Sequence, residues 1–470
     1  MRERGFVEPA MNGPVEQLVS CLSPGTVVTD PAIVANYRFD WARDPSAGVP
    51  AAVVRARSTA DVQTVLRWAS ENRVPVVPRG AGSSLAGGAS GVEGGVTLSL
   101  ELMRDVSVDV GNRVAVAQAG AITADVKTAA AAHGLWYPPD PSSYEMSSIG
   151  GNAATNAGGL CCLKYGVTGD YVLGMEVVLA DGRIIRLGGP RLKDVAGLPL
   201  LRLFVGSEGT LGVITELTLR LLPPPPAPAT LTATFGSVEA AAEAVVAITR
   251  QVRPAMLELM DRVAINAVED LIRMDLDRSS EALLLARSDA PGAAAADELA
   301  IIEAACQASG AREVYTTTEQ DEGDAFIHAR RSALPAMERL GVLLIEDVGV
   351  PVPALPELVR GIRGIAEARN TIISVIAHAG DGNTHPVIAY PPGDDEAEAR
   401  ARLAFGDVMM LAIELGGTIT GEHGVGRLKT PWLLDQLGHD SMALTRQIKD
   451  ALDPAHILNP GVMLPEEPSA

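Results

Sequence analysis

The chain has 470 residues, of which 47% are hydrophobic, so it is long enough to form two or three domains with their own cores. Its 38 basic and 58 acidic residues give a formal charge of −20 without a basic block, which argues against nucleic acid or an anionic membrane as a partner. Four cysteines without a CxxC pair indicate neither a disulfide framework nor a thiolate metal site and favour a reducing cytoplasm. Residues 1–9 lack an apolar signal core, and no later uncharged run could span a bilayer, so we expect a soluble protein.

The first half of the chain alternates short strands rich in Val, Ile and Leu with helices, which predicts an α+β or α/β domain. The predicted strands cover residues 51–55, 75–78, 96–100, 113–117 and 175–179, and the predicted helices cover 59–72 and 122–133. The run from Leu221 to Pro228 contains five prolines. Such a run adopts stiff polyproline II and commonly marks a boundary, so we assign the first domain to residues 1–224.

Three glycine-rich loops lie within this first domain. The loop from Pro78 to Gly88 fails the dinucleotide-binding fingerprint because Leu85 stands where the third glycine should be. It still offers backbone N–H groups and two hydroxyls, which make an anion-binding nest, and the loop from Ser147 to Gly159 has the same character. Two such loops can clamp a pyrophosphate. The third, Gly206 to Ile214, could place backbone groups against a flat ring.

Beyond the prolines, the alternation of strands and helices restarts. Predicted strands near residues 230–235, 255–260, 282–287, 314–318 and 342–348 are separated by alanine-rich helices. This pattern predicts a second α+β domain over residues 229–410, with an antiparallel sheet and helices on one face. Residues 411–470 are predicted to form a final helical segment.

Three of the seven histidines fall in two short motifs near the C-terminus, which favours chemistry over surface turns. His378 and His385 would lie on opposite faces of one continuous strand, so the turn sequence from Gly380 to Asn383 must bring them together at the mouth of a hairpin. Neutral imidazole and carboxylate ligands suit zinc or a similar divalent ion, and Glu422 supplies the carboxylate. His423 is then free for proton transfer.

The order of these motifs resembles the flavoprotein family of vanillyl-alcohol oxidase and p-cresol methylhydroxylase. Within it, the sequence is most similar to the branch of the glycolate oxidase flavoprotein subunit, D-lactate dehydrogenase and D-2-hydroxyglutarate dehydrogenase. The resemblance extends from about Pro31 to Leu464. Its motifs are Arg79-Gly-Ala-Gly82, Ile149-Gly-Gly-Asn152, Lys164-Tyr-Gly166, Gly206-Ser-Glu-Gly-Thr-Leu-Gly212, His378-Ala-Gly-Asp-Gly-Asn383, Gly421-Glu-His-Gly424 and Leu458-Asn-Pro460.

The resemblance implies a two-part FAD-binding domain of the p-cresol methylhydroxylase type, a ferredoxin-like cap domain and a helical tail that completes the active site. Many relatives bind FAD covalently through a histidine of the first domain, but this chain has none before His133, so we predict non-covalent FAD. A thioether from Cys161 or Cys162 is the other covalent option, although buried thiols beside glycine-rich loops are more often inert. The residues predicted to contact FAD are Arg79, Gly80, Ala81, Gly82, Ser83, Ser84, Pro139, Asp140, Ile149, Gly150, Asn152, Thr155, Asn156, Gly158, Glu208, Gly212, Ile214 and Asn459.

In the matching branch, the residues corresponding to His378, His385 and Glu422 bind a divalent metal, and the one corresponding to His423 is the base. Zinc is the expected ion, although manganese and iron accept the same ligands. The implied chemistry joins a metal on the substrate hydroxyl, proton transfer to His423 and hydride transfer from C2 to flavin N5.

The substrate carboxylate needs a cation, and Arg330 occupies the position of the family's carboxylate-binding arginine. The neighbouring Arg331 is expected to be the exposed one. Relatives that oxidise 2-hydroxyglutarate carry a threonine and a lysine where this chain has Leu334 and Ile345. A distal carboxylate against these apolar side chains would be costly to desolvate, which predicts a monocarboxylic D-2-hydroxy acid such as D-lactate, glycolate or D-2-hydroxybutyrate.

Other interpretations stay open from the sequence alone. The chain could oxidise 2-hydroxyglutarate after all, a sugar acid or an alcohol with a vestigial metal motif, or it could be a flavoprotein subunit that needs partner chains. A zinc hydrolase using His378, His385 and Glu422 would leave the glycine loops unexplained. The electron acceptor (quinone, electron-transfer flavoprotein, cytochrome or oxygen) and the oligomeric state, including a homodimer, are equally open.

Overall fold

The computed structural model describes residues 12–465, so the expectation drawn from residues 1–9 lies outside the described part of the chain. The helices of its first half are α1 (Asn12–Cys21), α2 (Pro31–Val34), α3 (Thr59–Asn72), α4 (Thr123–Ala131), α5 (Ile149–Thr155), α6 (Cys162–Tyr165), α7 (Thr168–Tyr171) and α8 (Leu201–Phe204). The strands are β1 (Val27–Val28), β2 (Ala52–Arg55), β3 (Val76–Arg79), β4 (Val96–Ser99), β5 (Val106–Asp109), β6 (Val114–Gln118), β7 (Val172–Val178), β8 (Ile184–Gly188) and β9 (Val213–Arg220).

Helix α3 shows how local sequence produces these elements. The Ser58 hydroxyl accepts the backbone N–H of Asp61, which caps the first turn, and the helix ends at Arg73 in the left-handed conformation. Apolar residues at helical spacing lie on its buried face. They are Val62, Val65, Leu66 and Ala69. Their burial anchors the helix on the hydrophobic core of the first half of the chain, which is called the first core below.

Two sheets form the first half of the chain. One contains four strands in the order β1-β2-β4-β3, in which β2, β4 and β3 are parallel and β1 is antiparallel. The other contains five antiparallel strands in the order β5-β6-β9-β7-β8. The first glycine loop follows β3 directly, and the third leads into β9, so both sheets position loops that face the same cavity.

The second half contains another alternation of strands and helices. Its strands are β10 (Ala229–Phe235), β11 (Met256–Asp261), β12 (Ala282–Ser288), β13 (Ala311–Thr317), β14 (Val342–Ile345), β15 (Val348–Gly349), β16 (Ile372–His378) and β17 (Asn383–Tyr390). Its helices are α9 (Val238–Thr249), α10 (Arg262–Ile272), α11 (Ala293–Ala308), α12 (Gln320–Arg331), α13 (Ala333–Met337), α14 (Leu355–Arg369), α15 (Asp395–Glu414) and α16 (Thr430–Leu452).

These strands form one antiparallel sheet in the order β13-β10-β12-β11-β16-β17-β14, and β15 also pairs with β17. The predicted α+β class and antiparallel cap sheet are confirmed. The expectation that helices lie on one face only is wrong. Leu257 and Leu259 of β11 face a core formed with α9, α11, α14 and α15, whereas Met260 faces a smaller cluster with α10 and α13. Because β11 is apolar on both faces, both faces need cover.

The proline run lies between β9 and β10 and therefore joins the two halves. The predicted boundary at residue 410 falls inside α15, which continues to Glu414. Helix α16 is kinked at Gly438, whose φ of 76° is non-helical. Beyond it the chain returns to the first half, where Leu458 pairs with Val76 of β3 and is buried in the first core.

Candidate active site

The β16–β17 hairpin carries the two histidines that the sequence singled out. His378 ends β16 opposite Asn383, and His385 pairs with Ile376, so the predicted hairpin is confirmed. The turn between them contains Gly382 with a φ of +83°, a conformation that glycine adopts without strain. The two imidazole rings meet edge to face with their centroids 5.1 Å apart.

Glu422 completes a cluster with these histidines. Its Oε1 lies 3.2 Å from Nε2 of His378 and 3.2 Å from Nε2 of His385. Ligands about 2.1 Å from a tetrahedral zinc ion are spaced by about 3.4 Å, so these atoms need little movement to hold one. The three side chains thus fit a divalent metal.

Glu258 lies behind His378 and was not predicted. Both of its carboxylate oxygens are 2.9 Å from Nδ1 of His378, and Glu258 is 1% exposed. Because a carboxylate only accepts hydrogen bonds, Nδ1 carries a proton toward Glu258. Burial lowers the pKa of His378, but Glu258 and Glu422 outweigh burial and hold this pKa well above its usual range. Nε2 is the ring nitrogen that faces Glu422 and is the atom that would ligate a metal in place of its proton. The sequence signal was a carboxylate in the middle of the otherwise apolar run Met256–Met260 of β11.

Asp347 holds the loop that carries Glu422 and His423, and it too was missed. Its Oδ2 accepts the backbone N–H groups of Gly421, Glu422 and His423 at 2.9, 3.0 and 2.8 Å. Burial raises the pKa of this carboxyl, but His423, Lys429 and His385 outweigh burial and hold the pKa well below its usual range. The carboxylate is therefore a fixed acceptor for the loop backbone.

His423 lies beside the cluster of His378, His385 and Glu422. Its ring stacks on that of His385 with the centroids 4.8 Å apart. Burial lowers the pKa of His423 to about 4, so the imidazole is neutral near pH 7 and can accept a proton. The ligand atoms of Asp347, His385 and His423 also lie close enough together to hold an ion. We prefer the set with His378 and Glu422 because all three of its members line the cavity that the glycine loops face, whereas Asp347 does not.

One large cavity extends from the glycine loops to this cluster. Among the described residues, the backbone N–H groups of residues 80–84 have no intramolecular acceptor and can donate to an anion. The first two loops meet so closely that a Cβ on Gly80 would lie 2.1 Å from Oγ of Ser148. The predicted cofactor residues that line the cavity are Arg79, Gly80, Ala81, Gly82, Ser83, Ser84, Gly150, Asn152, Thr155, Glu208, Gly212 and Ile214.

Two of these lining residues also brace the protein itself. The Arg79 guanidinium donates to the carbonyls of Ala89 and Phe39 at 2.9 and 3.0 Å, which fixes the first loop. The Glu208 carboxylate accepts the backbone N–H groups of Val425 and Gly426 at 2.7 and 2.8 Å. Burial raises the pKa of Glu208 to about 7.

Six predicted cofactor residues do not line the large cavity: Pro139, Asp140, Ile149, Asn156, Gly158 and Asn459. Ile149 is in the first core, and Asn156 caps the C-terminus of α5 in the left-handed conformation. Gly158 packs against Glu422: a Cβ atom added to Gly158 would lie 2.6 Å from Oε2 of Glu422. Asn459 is 1% exposed and donates to the carbonyls of Gly88 and Glu208.

The two adjacent arginines differ in their surroundings. Arg330 is 5% exposed, and its Nη2 lies 2.8 Å from Oε2 of Glu258, which links it to His378. Arg331 is not the exposed residue that we expected, because it is half-buried and its Nη2 lies 3.0 Å from Oδ2 of Asp140. Both line the large cavity, together with Leu334 and Ile345.

Two family models match the chain. The model described as FAD linked oxidases, C-terminal domain, matches residues 224–463, and the model described as FAD binding domain matches residues 50–188. The chain belongs to the FAD-linked oxidase family. It is therefore an FAD-linked oxidoreductase, and the prediction of FAD as cofactor is confirmed.

Similar proteins agree with this family assignment. The chain is 42% identical over 455 residues to the glycolate oxidase subunit GlcD of Bacillus subtilis (strain 168), covering 96% of this chain and 97% of that protein. It is 38% identical over 429 residues to the D-lactate dehydrogenase of Archaeoglobus fulgidus, covering 90% and 94%. These matches confirm the predicted branch of the family.

A solved structure of p-cresol methylhydroxylase with bound substrate has the same fold. Its TM-score is 0.82 at 17% sequence identity, with 98% of both chains covered. This likeness confirms the predicted fold class. Within residues 12–465, no helix is both long and apolar enough to cross a membrane.

Proposed function

We propose that this chain is an FAD- and divalent-metal-dependent dehydrogenase that oxidises a small monocarboxylic D-2-hydroxy acid, such as D-lactate or glycolate, to the 2-oxo acid. The proposal depends chiefly on one observation. The glycine loops, the cluster of His378, His385 and Glu422, the neutral His423 and the buried Arg330 all line a single cavity. The names of the two relatives above, a glycolate oxidase subunit and a D-lactate dehydrogenase, support the same substrate class.

Arg330 supplies the positive charge for the substrate carboxylate. Its Nε has no hydrogen-bond partner among the described residues, so the guanidinium retains a donor for a carboxylate. The ion pair with Glu258 holds Arg330 in place. An arginine fixed in this way orients the acid so that its hydroxyl-bearing carbon lies toward His423 and the proposed metal ligands.

When bound, FAD supplies a hydride acceptor, and a divalent ion held by His378, His385 and Glu422 supplies a Lewis acid at the substrate hydroxyl. His423 accepts the hydroxyl proton, because burial keeps its imidazole neutral. Asp347 fixes the backbone of Glu422 and His423 at once, so a ligand and the base keep a constant separation. Glu258 keeps Nε2 of His378 available as a ligand atom.

The wall of the cavity near Arg330 favours a short substrate. Leu334, Ile345, Ile376 and Val387 line this region together with Arg330. A second carboxylate would lose its hydration against these apolar side chains, which is costly. A methyl or hydrogen substituent on the hydroxyl-bearing carbon avoids this penalty.

The surroundings of the adjacent cysteines favour non-covalent FAD. Neither Cys161 nor Cys162 lines the large cavity. The Cys161 backbone donates to Asp140, and burial raises the pKa of both thiols, which disfavours the reactive thiolate. Acid precipitation is therefore expected to release all the flavin into solution, and flavin that stays with the pellet would contradict this part of the proposal.

The experiment that tests the proposal is the anaerobic visible spectrum of the purified protein before and after addition of D-lactate, glycolate or D-2-hydroxyglutarate. We expect an oxidised-flavin spectrum that bleaches at least tenfold faster with D-lactate or glycolate than with the dicarboxylate. Metal analysis of the same sample is expected to give one divalent ion per chain. Faster bleaching with D-2-hydroxyglutarate, or full activity without metal, would overturn the substrate or the metal assignment respectively.

A second candidate is a flavoprotein subunit that works only with partner chains. It is favoured by the relative that is named as a subunit of glycolate oxidase. Turnover of the isolated chain with an artificial dye separates the two candidates. Steady turnover indicates a self-sufficient dehydrogenase, whereas flavin reduction without turnover indicates that partners supply the path to the electron acceptor.

A further inference from the structure

A second cavity adjoins the cluster of His378, His385 and Glu422. Its volume is about 510 Å³, compared with about 340 Å³ for the large cavity, which is lined by more residues. His378 and Glu422 line both cavities. The proposed function does not use this space. The Cys162 side chain and the glycine segment at Gly158 form part of its wall, between the two halves of the chain. The same two ligands can thus be reached from two directions.

The second cavity is open to solvent at its outer end. Pro351, Asp381 and Gly416 line it and are exposed, whereas His378 at its inner end is 4% exposed. An ion that carries six waters occupies about 180 Å³ at about 30 Å³ per water, so a hydrated divalent cation fits within the cavity. The space therefore connects bulk water with the ligand set.

The two cavities differ in charge. Arg79, Arg330 and Arg331 line the large one, which will also contain FAD and substrate. Among the described residues that line the second cavity there is no lysine or arginine, whereas Asp381 and Glu422 contribute carboxylates. Asn383 adds an Oδ1 atom that has no hydrogen-bond donor in the described part of the chain. Oxygen atoms and negative charge attract a cation.

We propose that the second cavity is the route by which the divalent cation enters and leaves the site formed by His378, His385 and Glu422, with Asp381 as its first contact. This inference rests on the metal site of the proposed function. It separates metal exchange from the catalytic cavity, so the enzyme can acquire its ion while flavin and substrate are bound. Asp381 concentrates cations at the entrance.

The test follows zinc uptake by FAD-loaded, metal-free protein in a stopped-flow instrument, with a fluorescent zinc indicator that reports the loss of free zinc. Saturating pyruvate, a 2-oxo acid product, fills the large cavity. We expect pyruvate to change the uptake rate by less than about twofold. Asp381→Asn is expected to slow uptake by about fivefold at low salt, and added salt should reduce that difference.

Two further variants complete the design. Val167 lies in the wall of the second cavity, and Val167→Trp fills part of the space, so it should slow uptake at every salt concentration. Asp297→Asn removes an exposed carboxylate of α11 and should match the unchanged protein. The final zinc content of each variant is expected to equal that of the unchanged protein, which shows that the ligand set is intact.

The outcomes separate the route from the metal site itself. Uptake that pyruvate blocks, with normal rates in Asp381→Asn and Val167→Trp, would place the entrance in the large cavity and overturn the route alone. A protein that takes up no divalent ion at all would overturn both the route and the metal site. Flavin reduction by D-lactate in that same sample then shows whether the remaining proposed function survives.

Discussion

Glu258 connects His378, a proposed metal ligand, with Arg330, the residue proposed to bind the substrate carboxylate. One carboxylate accepts the proton of His378 Nδ1 and pairs with Nη2 of Arg330 at 2.8 Å, in a position that is 1% exposed. A buried carboxylate needs such partners, because leaving it unpaired would cost several kcal/mol. The pairing therefore fixes a metal ligand and the carboxylate-binding arginine relative to each other.

Glu258→Gln is expected to weaken zinc binding by about 10–100-fold while the FAD content stays unchanged. Nδ1 of His378 lies 2.9 Å from both carboxylate oxygens, so the amide nitrogen, which donates rather than accepts, faces Nδ1 in either orientation, and the negative charge that pairs with Arg330 is lost. Competition against a chelator of known affinity measures the change. Glu243→Gln, an exposed carboxylate of α9, is the matched control, and equal zinc affinities in the two variants would remove this role of Glu258.

His423→Ala is expected to slow flavin reduction by D-lactate by about 10²–10⁴-fold, because the hydroxyl proton loses its acceptor. FAD and zinc contents should stay normal, since His423 is neither a predicted flavin contact nor a member of the preferred ligand set. Anaerobic stopped-flow absorbance measures the rate, and the exposed His439→Ala of α16 serves as control. Near-normal reduction in His423→Ala would assign the base elsewhere.

At the scale of elements, the loop of residues 420–426 is held from both sides. Asp347, just after β14, binds its first part through backbone N–H groups, and Glu208, just before β9, binds Val425 and Gly426. The short loop therefore joins the cap sheet to the FAD-binding half. Both anchors are buried carboxylates, so their ionisation affects the stability of the fold.

Glu208 makes this element sensitive to pH. Burial raises the pKa of Glu208 from 4.5 to about 7, so the folded chain keeps this proton over a range in which the unfolded chain has lost it. The contribution of Glu208 to stability therefore falls as the pH rises from about 4.5 to about 7 and is constant above that. Glu208→Gln does not titrate. The melting temperature of the unchanged protein minus that of Glu208→Gln should be larger at pH 5 than at pH 8.

Circular dichroism of the FAD-loaded proteins during heating measures this difference. Glu243→Gln should show the same offset from the unchanged protein at both pH values, because that side chain is exposed. If the offset of Glu208→Gln is also the same at pH 5 and pH 8, the carboxyl of Glu208 does not hold its proton in the fold.

Local patterns in the sequence predicted the elements and the hairpin well, because α3, β2 and the turn at Gly380 to Asn383 depend on near neighbours. Glu258 and Asp347 were missed because their partners are distant in sequence. Glu258 contacts His378, which lies 120 residues further along the chain, and Asp347 contacts a loop that begins 74 residues further along, at Gly421. Arg331 was assigned to solvent because nothing local shows its ion pair with Asp140. Periodicity likewise could not reveal the second helical layer on the cap sheet, which depends on how β11 packs on both faces.

At the scale of the whole molecule, the C-terminal segment belongs to both halves. Helix α15 packs on the cap core, whereas Ile457 and Leu458 are buried in the first core beside β3. Nζ of Lys449 donates to the carbonyls of Thr210 and Leu458 at 2.8 and 2.7 Å, which fixes the return of the chain. Loosening this segment should therefore affect the flavin site as well as the second domain.

Leu458→Ala tests this coupling, because Leu458 is 0% exposed and lies 370 residues after the end of the first glycine loop in sequence (458 − 88) but next to β3 in space. Removing its side chain is expected to destabilise the protein by about 2–5 kcal/mol. Urea unfolding followed by flavin fluorescence and by far-UV circular dichroism should shift to lower urea by the same amount with both signals. The exposed Leu434→Ala should shift neither. A fall in the flavin midpoint alone would mean that the segment supports the cofactor site without joining the two cores, and the two halves would then unfold independently.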